Sequence, residues 1–360
     1  MQEQVLREGL EILQKDSGFR TNNQPAYLVK SGPDNYRALI QDGFCNGPEG
    51  TELCIKLYLS CNELEGINFT EVAKQHRFYN QSISPVSYKD LVVRYPIVYN
   101  DGIMVRRDVM FTWMIEQRIP EGLRLLLNYP DSTLEEKVRV AKVYWHTAVN
   151  FPQVFETDPS EATTAQGYFM GKLREWTKIG EYIAPEVTKR RGMVQKGILN
   201  NIESLPMFWF FRLFQNTDII LADNRGYMLD FYPALKPKYF GIACWLWGWS
   251  LFWSVNNKLN QLGILNEWEL EFDSWINIFF GVQLEIARIS TGNLPVFEEN
   301  YFRFRRLIWA NFLERVYATL CVDLPLRRSP FNDINDDQVR SVQEFWLSIL
   351  NNVLFKLGVS

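Results

Sequence analysis

The chain has 360 residues, enough for one large or two medium domains, and 47% hydrophobic against 22% charged residues places it among globular rather than disordered proteins. A net charge of −4 and a pI of about 5.5 leave no general basic field, so no nucleic-acid partner is expected. Five cysteines (Cys45, Cys54, Cys61, Cys244, Cys321) without C-x-x-C spacing argue against zinc, and with a charged opening unlike a secretory signal they predict a cytoplasmic protein.

In chain order, Gln2 to Lys15 carries apolar residues at helical spacing and Gly18 ends it. Short β-like runs follow at Tyr27–Lys30, Tyr36–Gln41, Glu52–Leu59, Leu91–Tyr99 and Ile103–Val109, with one helical stretch at Asn68–Asn80. Turns are expected at Ser31–Asn35, Asn46–Gly50 and Asn100-Asp101-Gly102. After Met110 the pattern is helical: Leu123–Leu127, Thr133–Val149, Ala165–Tyr182, Tyr239–Asn257, Ser274–Ile289, Tyr301–Leu320 and Asp337–Leu357. A strand-rich first third and a helical remainder give an α+β chain of two lobes, divided as 1–110 and 111–360.

A single hairpin interrupts the helical remainder, from Ile219 to Asp230 inside Phe211–Phe231. Ile219–Ala222 is apolar, Asp223-Asn224-Arg225-Gly226 is turn chemistry, and Tyr227–Leu229 leads into Asp230. An acid ending each arm brings Asp218 and Asp230 together as hard oxygen ligands, a pair that suits Mg²⁺ completed by substrate phosphates.

This stretch resembles the catalytic-loop-to-metal-loop hairpin of the protein-kinase-like superfamily, in its aminoglycoside- and choline-kinase branch. There an H-x-D-x-x-x-x-N loop, a hairpin and a D-F-G or I-D-F/W signature follow in order. Leu229-Asp230-Phe231 matches the last element and Asp218 stands at the metal-binding Asn. The position of the catalytic Asp holds Leu213, with Phe211 in place of His, so the base is missing. The resemblance implies a bilobal kinase-like fold, with a small, mostly antiparallel β N-lobe and a large helical C-lobe. It also implies ATP and Mg²⁺ as cofactors. Lys56, in the alternating strand Leu53–Tyr58, would be the ATP-phosphate lysine and Glu71 its helix-borne partner. Read without the resemblance, Lys56 is a solvent-facing strand residue and Glu71 a helix N-terminal charge. Val93–Tyr99 and Ile103–Val109 look like the strands leading to the hinge. Neither Ser31–Asn35, with one glycine, a proline and an aspartate, nor Asn46–Gly50 makes a good phosphate cradle. Nucleotide affinity is therefore expected to be modest.

Tyr239–Val255 is uncharged and holds four tryptophans, Trp245, Trp247, Trp249 and Trp253. It is near the lower length of a membrane helix, but tryptophans along the whole run fit a helix buried in the large lobe better than an interfacial belt. His146 is expected to be structural and His76 to be a surface or packing residue. Arg303-Phe304-Arg305-Arg306 and Arg327-Arg328 read as solvated faces or docking sites for an acidic partner, and Lys189-Arg190-Arg191 as belonging to a mobile loop. Two functions follow. One is a divergent kinase-like protein, a weak phosphotransferase or a pseudokinase with a residual nucleotide–Mg²⁺ site. The other is a non-enzymatic protein that binds a protein partner or a membrane surface through helices and exposed aromatics.

Overall fold

The structure is a computed structural model that describes residues 2–17, 19–21, 25–32, 35–44, 52–59, 73–74, 77, 92–119, 133–150, 164–202, 207–211, 219–222, 225–228, 233–257, 259, 261, 263–289, 301–328 and 330–359. The chain divides into two compact units, the first of residues 1–124 and 218–232, the second of 125–217 and 233–360. The sequence-based boundary at 110 differs in two places. It cuts through a strand that runs on to Gln117, and it assigns the 219–228 hairpin to the second lobe although that hairpin pairs with a strand of the first.

Unit 1 opens with α1 (Gln2–Ser17), then β1 (Arg20–Thr21), β2 (Tyr27–Gly32), β3 (Asn35–Phe44) and β4 (Glu52–Leu59). β5 (Val92–Arg94), β6 (Val98–Arg106) and β7 (Val109–Gln117) follow. The main sheet runs β1-β3-β4-β7-β6, with β2 also on β3, and every pairing is antiparallel. Alternation sends Leu53, Ile55 and Leu57 to one face, where Val5, Leu6, Leu10 and Leu13 of α1 cover them. Contact is close: a Cβ at Gly9 would lie 3.0 Å from Leu57.

The β6–β7 connection falls later than the sequence suggests. Asn100-Asp101-Gly102 lies inside β6, and Arg107 and Asp108 make the turn with φ of 48° and 62°. Two successive positive φ values match a type I′ hairpin, which usually recruits Asn or Gly. Gly102 serves packing instead, since a Cβ there would stand 2.8 Å from the Trp113 ring. Arg107 reaches back to Glu8 of α1 at 2.7 Å and ties the turn to the helix.

Further along, β9 (Ile219–Ala222) and β10 (Arg225–Met228) pair antiparallel as expected, and Arg225 and Gly226, expected in the turn, are already in strand. β10 then pairs in parallel with β5, giving a sheet ordered β5-β10-β9 within unit 1.

Unit 2 contains α2 (Leu134–Asn150), α3 (Ala165–Ile183), α4 (Pro185–Thr188) and α5 (Arg191–Leu199). A ribbon of β8 (Met207–Phe211) and β11 (Pro233–Pro237) joins them, antiparallel and not foreseen from sequence. The remaining helices are α6 (Phe240–Asn256), α7 (Ile264–Ile289), α8 (Tyr301–Ala318) and α9 (Asp336–Lys356). Thr133 and Glu136 form a capping box before α2, and Asn335 with Gln338 forms another before α9. α7 begins ten residues earlier than expected, because Trp268, Phe272, Trp275 and Phe279 continue a buried stripe between its acids. Lys189 and Arg190 form a two-residue turn between α4 and α5, Arg191 opens α5, and side chains tie the turn down, Lys189 on Glu186 and Arg190 on Asn351.

α6 is buried nearly all round, and its four tryptophans are 1–7% exposed. Polar edges of Trp247 and of neighbouring indoles are matched by small hydroxyls. Trp247 Nε1 donates to Thr319 Oγ1 at 2.7 Å, Trp268 Nε1 to Ser250 Oγ at 3.0 Å, and Trp346 Nε1 to Ser254 Oγ at 3.2 Å. The two serines thus let α6 accept Trp268 and Trp346 without stranding either N–H. Among the described residues no helix is long and apolar enough to cross a membrane.

Candidate functional site

Of the candidate site residues Lys56, Glu71, Asp218 and Asp230, Lys56 is the one the structure describes. It lies in the middle of β4, opposite Met114 of β7, and is 6% exposed. The solvent-facing reading of its strand position is therefore overturned. Alternation does put Lys56 on the face away from α1, but that face is covered too: Cys54, Thr112, Met114 and Glu116 are all buried there.

Lys56 Nζ stands 2.7 Å from Glu116 Oε1, with the side chains 8% and 3% exposed. Register explains the meeting. Glu116 is directly opposite Cys54, so Lys56 and Glu116 are diagonal neighbours on one face of an antiparallel pair. Taking both charges out of water is costly, and the close geometry offsets that cost. Such a pair holds an ammonium in a fixed place, which is what a phosphate-binding lysine requires.

Sequence reasoning does not reach Glu116. Its signal is an acid at an inward position of the mostly apolar strand Val109–Gln117, but the sequence pattern places no strand after Met110 apart from the 219–230 hairpin. Glu71, the expected partner, lies outside the described residues. Ala73, Lys74 and Arg77 just beyond it have helical backbone. Arg77 is 2.5 Å from Asp101, which sits opposite Met114, so this helical segment reaches the Lys56 face of the sheet.

Asp218 and Asp230 also lie outside the described residues, as do Leu213, Pro33 and Asp34 of the first expected phosphate-loop turn, and the whole of Asn46–Gly50. The hairpin they flank is described, with Ile219 opposite Met228 as its last pair. Phe211, standing where a histidine would be, ends β8 and pairs with Pro233. Among the described residues no three His, Cys, Asp or Glu side chains group together as a metal site. Mg²⁺ bound through one or two carboxylates and substrate phosphates does not need such a group. For a nucleotide the donor set that can be tested fits: one buried cation, fixed by one carboxylate, on a central strand.

The basic clusters are largely engaged within the chain. Arg305 makes two bonds to Asp273, at 3.0 and 2.5 Å, which hold its guanidinium above the usual arginine range. Arg327 pairs with Asp336 at 2.5 Å and Arg328 with Asp323 at 3.5 Å.

No protein-family model matches the sequence, and no curated protein matches it. Solved structures do. The structure of a microcompartment-associated aminopropanol kinase aligns with a TM-score of 0.50 at 9% identity, covering 98% of this chain and 99% of the other. A protein from Haemophilus somnus 129PT, assigned as a fructosamine-3-kinase, aligns with a TM-score of 0.47 at 11% identity over 96% and 98% of the two chains. One from Thermobifida fusca YX-ER1 with the same assignment gives 0.47 at 12% identity over 93% and 98%. The fold is therefore α+β and kinase-like over nearly the whole chain, and identities this low speak to fold alone.

Proposed function

We propose that this chain is a kinase-like phosphotransferase with a degenerate catalytic loop, holding a nucleotide through Lys56 and Mg²⁺ through Asp218 and Asp230. The observation that carries this reading is the buried Lys56–Glu116 pair in the middle of a kinase-like sheet. ATP would supply the transferable phosphoryl group. The chain's own contribution is positional: Lys56 meets phosphate charge, and Glu116 fixes the ammonium. With Leu213 at the base position, no carboxylate there receives the acceptor's proton. General-base catalysis is worth about 10²–10⁴-fold, so turnover is expected to fall below the ~1–100 s⁻¹ of ordinary kinases by about that factor. The competing reading as a docking protein loses the tryptophans of α6 as a surface, since they are buried.

The test is thermal unfolding of the purified chain with and without ATP and Mg²⁺. A ligand at about 100 times its Kd stabilises by about 2.7 kcal/mol, so saturation should raise the melting temperature measurably. Asp230→Ala is expected to abolish the Mg²⁺-dependent component. Lys56→Arg, which keeps a cation beside Glu116, is expected to weaken the response. No shift at millimolar ATP would refute the nucleotide site and with it the phosphotransferase.

A further inference from the structure

Unit 2 buries a lysine with no acid at ion-pair distance among the described residues. Lys236 of β11 is 7% exposed. Tyr239, left-handed at φ 66°, turns the chain after β11 so that Phe240 comes back against the same side chain. Lys236 Nζ donates to Tyr168 Oη at 3.0 Å and lies 4.9 Å from the ring centres of both Tyr168 and Phe240.

An ammonium carries three N–H donors and no acceptor. The two ring faces relieve some of its charge, but among the described residues no carboxylate stands within ion-pair distance of it. The charges that do act on Lys236 are already matched to each other. Glu314 is held by Arg315 through both oxygens, at 2.7 and 2.6 Å, and also accepts from Trp176 Nε1 at 2.5 Å. Lys172 is taken by Glu175 at 2.7 Å. Burial, above all, lowers the pKa of Lys236 from 10.5 to about 8, with Cys244 and Glu314 opposing the shift and Arg315 and Lys172 adding to it. The group is thus still mostly charged at neutral pH. A buried cation in this state is costly until an anion joins it.

We propose that Lys236, with the Tyr168 hydroxyl beside it, binds a small oxyanion, the phosphate or carboxylate group of a free ion or a small-molecule ligand. Tyr168, Lys172 and Trp176 succeed one another at four-residue steps along α3, each half-buried. An anion reaching Lys236 would approach along this face of α3, which Tyr168, Lys172 and Trp176 share. The site uses none of the residues assigned to nucleotide or Mg²⁺, so it stands or falls apart from the phosphotransferase reading.

The experiment is a titration of the full chain with inorganic phosphate, glycerol 3-phosphate and acetate in separate arms. Ionic strength is held constant with sodium chloride, and calorimetry and thermal melting are the readouts. Wild type should bind at least one of the three with a rise in melting temperature that chloride does not give. A response to glycerol 3-phosphate stronger than to inorganic phosphate assigns the site to phosphate esters, the reverse to the free ion, and a response to acetate alone to carboxylates. Lys236→Met should bind roughly tenfold or more weakly, the usual loss for a charged hydrogen bond. In the absence of anion the same variant should melt higher than wild type, because it removes an unanswered charge. The proposal is overturned by no anion-specific response in wild type, or by an equal response in Lys236→Met. Should Lys236→Met fail to fold, Tyr168→Phe decides: weaker anion binding supports the site, and unchanged binding overturns it.

Discussion

Lys56 and Glu116 illustrate how one pair can be illegible in sequence and still central in space. Alternation along Leu53–Tyr58 correctly separates Lys56 from Leu53, Ile55 and Leu57, but alternation cannot tell a face open to water from one covered by other elements. The mutational signature follows from burial. Lys56→Met leaves the Glu116 carboxylate buried without its cation and is expected to cost about 3–5 kcal/mol, read as a lower urea midpoint. Lys56→Met with Glu116→Leu removes both charges and should recover most of that loss; a double variant as unstable as the single one would contradict the pairing. For Lys236 the readout is pH. Its folded pKa of about 8 lies below the ordinary lysine value of 10.5, so between these values the unfolded chain holds more protons and stability rises with pH. The cost is fully present below pH 8 and gone above 10.5, about 3 kcal/mol at most. Tyr168, whose pKa burial raises well above 10.0, acts in the opposite direction at the alkaline end. The difference between wild type and Lys236→Met separates the two: it should narrow steadily from pH 8 upward, and a constant difference would place the titration elsewhere.

At the scale of elements, the helices are the most legible because their buried stripes are long. α1, α2, α3, α6, α8 and α9 begin and end within a few residues of the sequence reading. The strands are less so, and the reasons differ from place to place. In β6, Asn100-Asp101-Gly102 is turn chemistry by composition, yet Gly102 is required by the indole of Trp113 on the neighbouring strand, a contact that only register reveals. Gly102→Ala should therefore destabilise by about 1–3 kcal/mol through overpacking against Trp113, measured by chemical denaturation. Equal stability would mean that the Trp113 ring makes room for a methyl group at no cost. β8 and β11 escape a sequence reading because each is short and they sit either side of the hairpin, so their pairing of Met207 with Pro237 joins residues well apart in sequence. For α6, four tryptophans in an uncharged run leave a membrane surface open as a reading, and the serines that accept indole N–H groups decide for the interior.

For the molecule as a whole, the α+β kinase-like architecture is readable from the order of strand-rich and helix-rich segments, whereas the division into units is not. The first unit is completed by residues 218–232, because β10 pairs in parallel with β5, Gly226 opposite Val93. Such a pairing leaves no local trace, since a parallel partner is supplied by a crossover rather than a turn. A fragment of residues 1–124 should accordingly melt with lower cooperativity than the same fragment joined by a short linker to 218–232, as followed by circular dichroism. Identical transitions would show that β10 is dispensable to unit 1. There is also a consequence for biosynthesis. A ribosome delivers residues in order, so β5 emerges long before β10, and residues 125–217 of the other unit must be made in between. Throughout that interval the nascent chain carries an unmatched strand edge, a template for wrong partners. Translation speed across residues 125–217, more than the stability of the finished protein, should therefore govern how much of it escapes aggregation.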